Sequence, residues 1–247
     1  MVKVFRVLQK LEVHKYPTES RPVGGFGAGV AILKKNGNVF LEKVGKLCDV
    51  SSAKRLSETV NIEEASVLVG HVRMPSPKFM ETAKFRETAQ PYVAKCYDDL
   101  TVVSVHNGYV VNYEEIKATL DKRHVFESEK IEFIDSEVIP HLFEELLLKK
   151  TKASEALDAL FNFLKGRNSI GLLQIEKEHL FMHLIHKQWS RGLTVWTNSK
   201  KEVVFCSRRE PLIEIFGDMF ETEEFEEKVF IPYHKNANLR LSFPLEF

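Results

Sequence analysis

The chain has 247 residues, and its 35 basic and 35 acidic side chains cancel to a net charge of zero. Apolar residues at 44% and charged residues at 28% are ordinary globular usage, which excludes disordered, collagenous and coiled-coil chains. A pI near 7.1 lacks the basic footprint of a nucleic-acid binder, and no apolar run reaches the ~18 residues that would span a bilayer. The N-terminus, Met1-Val2-Lys3-Val4-Phe5-Arg6, has no uninterrupted apolar stretch of the kind a secretion signal needs. Three scattered cysteines (Cys48, Cys96, Cys206) with no CxxC pair exclude a disulfide framework and fit a reducing cytoplasm.

In chain order, Val4, Val7, Leu8 and Leu11 form one apolar stripe at helical spacing, which Pro17 and the glycines of 24–29 end. Residues 30–33 and 39–41 flank Asn36-Gly37, a hairpin signal. A short helix follows over 54–60 with Ser51 or Ser52 as its N-cap. Residues 65–69 and 101–105 are buried strands, each followed by a histidine, and 75–99 between them is a long loop. Helices are predicted over 113–124 and over 135–150, the second with Ile139, Leu142, Phe143, Leu146 and Leu147 inward and Asp135 or Ser136 as cap. Another, with Ala156, Leu157, Leu160, Phe161 and Leu164 inward, ends at Gly166. Strands are expected over 170–175, 179–186, 193–197 and 203–207, and the acidic, then aromatic tail after Gly217 carries no assignment. Helices and strands come in blocks, and adjacent strands are joined by short turns. That pattern implies an α+β chain of antiparallel sheets with helices on their faces, in a single domain over 1–247.

Two polar strand ends are the candidates for chemistry. Arg73 leaves a buried strand and suits bidentate capture of a carboxylate, or pairing with a structural acid at a sheet edge. His106-Asn107-Gly108 leaves another, and an Asn amide beside a Gly N–H can form an oxyanion hole, although Asn-Gly is also ordinary turn chemistry. Asp135 is either a helix cap or a ligand-binding carboxylate. His179 and His183 share a strand face that reads as solvated or partner-facing. They lack a carboxylate or cysteine at ligand spacing, so no metal is expected there. Gly24–Gly29 is no phosphate loop, because no Lys-Ser/Thr follows. The cysteines read as small core residues, since none has a histidine nearby in sequence.

Gly70-His71-Val72-Arg73, Ala89-Gln90-Pro91-Tyr92, His106-Asn107-Gly108 with Asn112-Tyr113, and Asp135-Ser136-Glu137-Val138 occur in this order. The series resembles the glutaminase domain of class II glutamine amidotransferases, which are N-terminal-nucleophile hydrolases, with Arg73 and Gln90-Pro91 most like the amidophosphoribosyltransferase branch. The glycines of 24–29 are similar to the family's early glycine-rich strand entry. Arg208-Arg209-Glu210-Pro211 is similar to its arginine-aspartate-proline turn, with Glu210 as the acid. The resemblance covers roughly residues 4–215. It implies a four-layer αββα sandwich with two antiparallel sheets. It also implies that Arg73 and Asp135 hold the α-carboxylate and α-amino group of glutamine, that His106 lies with these substrate-binding residues, and that Asn107 and the Gly108 N–H stabilise the oxyanion. The implied activity is hydrolysis of the glutamine side-chain amide to supply ammonia to a partner synthase or transferase subunit, with no cofactor or metal, no nucleic acid and no membrane, in the cytoplasm and with room for a homo-oligomer.

This sequence departs from the pattern at Met74, where an aromatic is common, at Ser76, where Thr is common, and at the front. Family members begin the mature chain with a Cys whose thiol attacks the amide. Here Met1 precedes Val2 and the first cysteine is Cys48. The helical spacing from Val4 to Leu11 places this chain's start at the family's first helix, so the nucleophile-bearing strand is expected upstream. The 247-residue chain alone is then expected to be inactive, and the alternative is a non-catalytic glutamine-binding or regulatory subunit of the same fold.

Overall fold

The computed structural model describes residues 1–150, 152–177, 179–189 and 191–246. α1 (Val2–Val13) buries Phe5, Val7, Leu8 and Leu11, the stripe its spacing dictates. β1 (Gly27–Lys34) and β2 (Val39–Gly45) pair antiparallel about Gly37, whose φ of +82° is the conformation glycine adopts freely. α2 (Ser52–Thr59) is capped by Ser51, which accepts the Lys54 N–H at 3.0 Å. β3 (Ala65–Val72) returns along β1.

Residues 75–99 are not the long loop their composition suggests. They form 3₁₀ turns over Pro77–Lys84 and Arg86–Thr88, then β4 (Tyr92–Ala94), which pairs with β5 (Leu100–Gly108). The turns are held locally: Thr82 donates to the Phe79 carbonyl and Thr88 to the Thr82 carbonyl, bonds that leave no 3.6- or 2-residue period to read. α3 (Tyr113–Thr119) stops before the expected 124, because Asp121 caps a following turn through the Arg123 N–H. A 3₁₀ turn over Asp135–Glu137 leads into α4 (Val138–Lys149). The expected capping by Asp135 or Ser136 does not occur, as both side chains are engaged elsewhere.

α5 (Ala153–Phe163) is followed by β6 (Asn168–Glu176), β7 (Leu180–Lys187), β8 (Leu193–Thr197) and β9 (Val203–Cys206). α6 (Arg209–Thr222) runs into the unassigned tail, which supplies β10 (Glu226–Ile231) and β11 (Leu239–Leu245).

All strand pairs are antiparallel, in a five-stranded sheet of order β11-β7-β6-β5-β4 and two three-stranded sheets, β2-β1-β3 and β10-β8-β9. Side-chain alternation sorts the layers. On β5, Leu100 and Val102 meet α4 and α5, while Val103 and Val105 meet Ala31 and Val69 of one three-stranded sheet and Leu193 and Val195 of the other. On the far side, Ala28, Val30 and Cys206 pack under α1, α2 and α6. The result is helix–sheet–sheet–helix, with one continuous sheet layer and one divided between β3 and β9. No helix of the described residues is long and apolar enough to cross a membrane.

Two expectations fail here. His183 is neither solvated nor partner-facing: β7 lies inside the five-stranded sheet, and His183 is fully buried beside Phe143 with its ring bonded to Gln174 and Ser242. The cysteines are not all core residues: Cys206 is buried, but Cys48 is exposed and Cys96 is half-buried, with His141 Nδ1 brought by the fold to 3.6 Å from its sulfur.

Candidate active site

The division of one sheet layer leaves a cavity of about 840 Å³. Its walls include consecutive runs from β3 and from β9, residues 66–72 and 203–206, so the cavity runs along strand edges rather than one pleated face. Among the described residues β3 pairs only with β1, and β9 only with β8. Arg73, His106, Asn107, Gly108 and Asp135 all line this cavity, although 62 positions separate the first from the last (135 − 73).

Arg73 follows β3, where its N–H donates to the Gly27 carbonyl at 2.8 Å and fixes the strand end. Its guanidinium is buried, and it donates from Nη1 to Thr88 Oγ1 at 2.6 Å and from Nη2 to Thr82 Oγ1 at 2.7 Å. Each hydroxyl spends its proton on a backbone carbonyl, which turns its lone pairs toward Arg73. The structural acid partner that a sheet-edge arginine could take is not what Arg73 finds: its partners are neutral hydroxyls.

Asp135 is the opposite case. Its carboxylate is buried and accepts the Val110 N–H at 2.9 Å, with no cation at ion-pair distance among the described residues. Burial pushes its carboxyl up to about 6, opposed by the N–H groups of Val110, Ser136 and Asp135 and by the charge of Arg73.

β5 carries the remaining groups. His106 is pinned through its backbone by Gln90, which accepts the His106 N–H at 2.6 Å and donates to its carbonyl at 3.0 Å. Asn168 Nδ2 donates to the Gly166 carbonyl, so its Oδ1 faces His106 Nε2 at 3.0 Å. That assigns the proton to Nε2 and leaves Nδ1 to accept from Ser136 Oγ at 2.8 Å. Burial lowers the imidazole to about 4, so His106 is a neutral, fully bonded support that ties β5 to the turn carrying Asp135. The Asn107 amide has no hydrogen-bond partner among the described residues. Gly108 is required sterically: a Cβ there would lie 2.0 Å from the Arg167 carbonyl oxygen.

The sequence did not single out the supports Thr82, Thr88, Gln90, Ser136 and Asn168 as such, because each acts across long sequence separations. It also gave His71 no role. His71 lines the cavity with Nδ1 unpartnered among the described residues. Desolvation first, then His106 and Arg73, push it down to about 3, so the ring is neutral. Its only sequence signal was its place two residues before Arg73. Among the described residues, no cavity residue belongs to a cluster of metal donors, and the donors that do gather are Cys96, His124, His141 and Glu144, in the helical layer.

An antiparallel αββα sandwich is the fold of the class II, N-terminal-nucleophile glutamine amidotransferases. The chain belongs to this family: the profile of the glutamine amidotransferase domain matches residues 79–214. Among curated relatives, glutamine–fructose-6-phosphate aminotransferase (isomerizing) of Sulfurisphaera tokodaii is 26% identical over 208 residues, covering 84% of this chain and 29% of that protein. The protein of the same name from Thermosynechococcus vestitus is 33% identical over 155 residues, covering 62% and 21%. The chain thus spans less than a third of these relatives' length. In three dimensions it resembles the glutamine phosphoribosylpyrophosphate amidotransferase of B. subtilis, with TM-score 0.58 and 15% identity over 93% of this chain and 42% of the other.

Proposed function

We propose that the cavity binds glutamine and that the domain releases ammonia from its side-chain amide for a synthase or transferase acceptor. The observation that carries this reading is the pair Arg73 and Asp135. They are buried charges of opposite sign that line one cavity yet ion-pair neither with each other nor with another described residue. Buried charges are costly when uncompensated, and an amino-acid zwitterion compensates both. Arg73 takes the α-carboxylate, Asp135 the α-ammonium, and the free Asn107 amide with the Gly108 N–H takes the oxyanion formed at the side-chain carbonyl.

The nucleophile is proposed to lie on an extended segment seated between β3 and β9, where two unpaired strand edges face the cavity. The chain's own cysteines fit the role poorly. Burial pushes the Cys206 thiol up to about 11 and raises that of Cys96, and Cys48 is exposed beyond β2, away from the cavity lining. A thiolate on the seated strand adds to the amide carbon, the C–N bond breaks as the nitrogen takes a proton and leaves as ammonia, and water then cleaves the thioester to glutamate.

The same cysteine placement supports the second reading, a regulatory subunit that binds glutamine without turnover. Calorimetry with glutamine, together with glutamate release, tests both. Binding without release is expected from residues 1–247, and release once a thiol-bearing strand is supplied. Release from residues 1–247 alone, with no thiol-bearing strand supplied, that survives replacement of all three cysteines by serine would contradict the mechanism.

A further inference from the structure

On the opposite side of the five-stranded sheet a second buried polar cluster has no part in the cavity. Cys96 lies just past β4, His124 follows α3, and His141 and Glu144 stand three residues apart on one face of α4. The Cys96 sulfur, one nitrogen of each histidine and one Glu144 oxygen all lie within 4.8 Å of one another.

Three of the spacings between these donors match the edges of a tetrahedron around one ion. Cys96 Sγ to His141 Nδ1 is 3.6 Å, His124 Nδ1 to His141 Nδ1 is 3.1 Å, and His124 Nδ1 to Glu144 Oε2 is 3.5 Å. Bonds of about 2.3 Å to sulfur and about 2.0–2.1 Å to nitrogen or oxygen, set at tetrahedral angles, give edges of about 3.6 Å for S···N and about 3.3 Å for N···N and N···O.

Proton placement points the same way. His124 Nε2 meets Glu145 Oε2 at 3.3 Å, and Glu145 is itself held by Lys149 and by the Asp121 N–H. With its proton on Nε2, His124 turns a bare Nδ1 lone pair toward His141 Nδ1 and a carboxylate oxygen, and carboxylate–histidine pairing of this kind orients metal ligands. Glu144 Oε1 accepts the Cys96 N–H at 2.7 Å, while Glu144 Oε2 is buried with no hydrogen-bond partner among the described residues. A thiolate and a carboxylate beside two neutral imidazoles balance a divalent ion without leaving net buried charge. The half-buried sulfur leaves a route of access.

We propose that Cys96, His124, His141 and Glu144 bind one zinc ion in a closed, structural tetrahedral site that fastens the β4–β5 turn and the segment after α3 onto α4. Thiolate plus imidazole ligation selects zinc over the oxygen-preferring cations, and four protein donors leave no open position for catalysis.

The test uses the full chain, stripped with chelator and titrated with Co²⁺ as the spectroscopic stand-in. One equivalent should bring up the intense visible bands of tetrahedral cobalt and the ultraviolet charge-transfer band of a cobalt–thiolate bond, both erased by one equivalent of Zn²⁺. Cys96→Ser should abolish the charge-transfer band, while Cys48→Ser should keep it. Glu145→Gln, which touches no donor atom, should weaken cobalt binding ~10-fold or more through loss of the His124 support. No tetrahedral spectrum in the parent protein, or a thiolate band that persists in Cys96→Ser, would overturn the proposal.

Discussion

The two sheet layers of this domain are made from the same kind of strand and end differently. β4 to β7 and β11 close into one five-stranded sheet, whose inner strands are covered on both faces by apolar side chains. The opposing layer stops twice, at β3 and at β9, and the space between those edges is the cavity around which Arg73, His106, Asn107, Gly108 and Asp135 are grouped. The lesson is that stability and chemistry are separated. The continuous sheet supplies a rigid wall, and the interrupted layer supplies the room and the unpaired backbone that a ligand and an added strand can use.

The largest loss is expected on the continuous side. Phe143, fully buried between α4 and the sheet, should cost about 3–5 kcal/mol when cut to alanine, read by chemical denaturation. At the rim of the same sheet, Gly108→Ala forces a Cβ against the Arg167 carbonyl in a backbone conformation that side chains rarely adopt. It should cost about 2–4 kcal/mol and lower the melting temperature.

In the cavity the expected losses move from stability to binding. Arg73→Lys keeps the charge and removes the planar fork, so glutamine affinity should fall ~10- to 100-fold, on the order of 1.5–3 kcal/mol, by calorimetry. The pH profile tests Asp135 separately. Its carboxyl is raised to about 6 in the free protein, and only the ionised form can receive an ammonium. Affinity should therefore be level between about pH 7 and 8 and fall as pH drops through 6, by about tenfold per unit once protonation dominates. The smallest effect belongs to the divided layer itself: Val67→Ala, at the partly exposed β3 edge, should cost less than about 1 kcal/mol in denaturation.

What the sequence disclosed follows the same division. α1 was legible because one face is buried, the body of α4 because its apolar residues recur at helical spacing, and β5 to β7 because both their faces are buried, which writes near-continuous apolar runs. β4 was hidden in a segment held by Thr82, Thr88 and Gln90 side-chain bonds, which have no period. β10 was masked by the charges Glu226, Glu227 and Lys228, and β11 by Pro244, which an edge strand tolerates. At the site, Arg73 and Asp135 stood out as charges at the ends of apolar segments. Their lack of an ion-pair partner could be learned only from the folded chain, as could the meeting of Cys96 with two histidines.

The central claim, that Arg73 and Asp135 are left unpaired to receive the two charges of one amino acid, is tested most directly by glutamine calorimetry on the parent chain and on Asp135→Asn. Asparagine retains an oxygen for the Val110 N–H and removes only the charge. The account predicts one-to-one binding to the parent that weakens below pH 6, binding to the variant at least ~10-fold weaker and flat across that range, and a variant melting temperature at pH 7 no lower than the parent's. No heat of binding in the parent, or equal affinity and pH dependence in the variant, would contradict it.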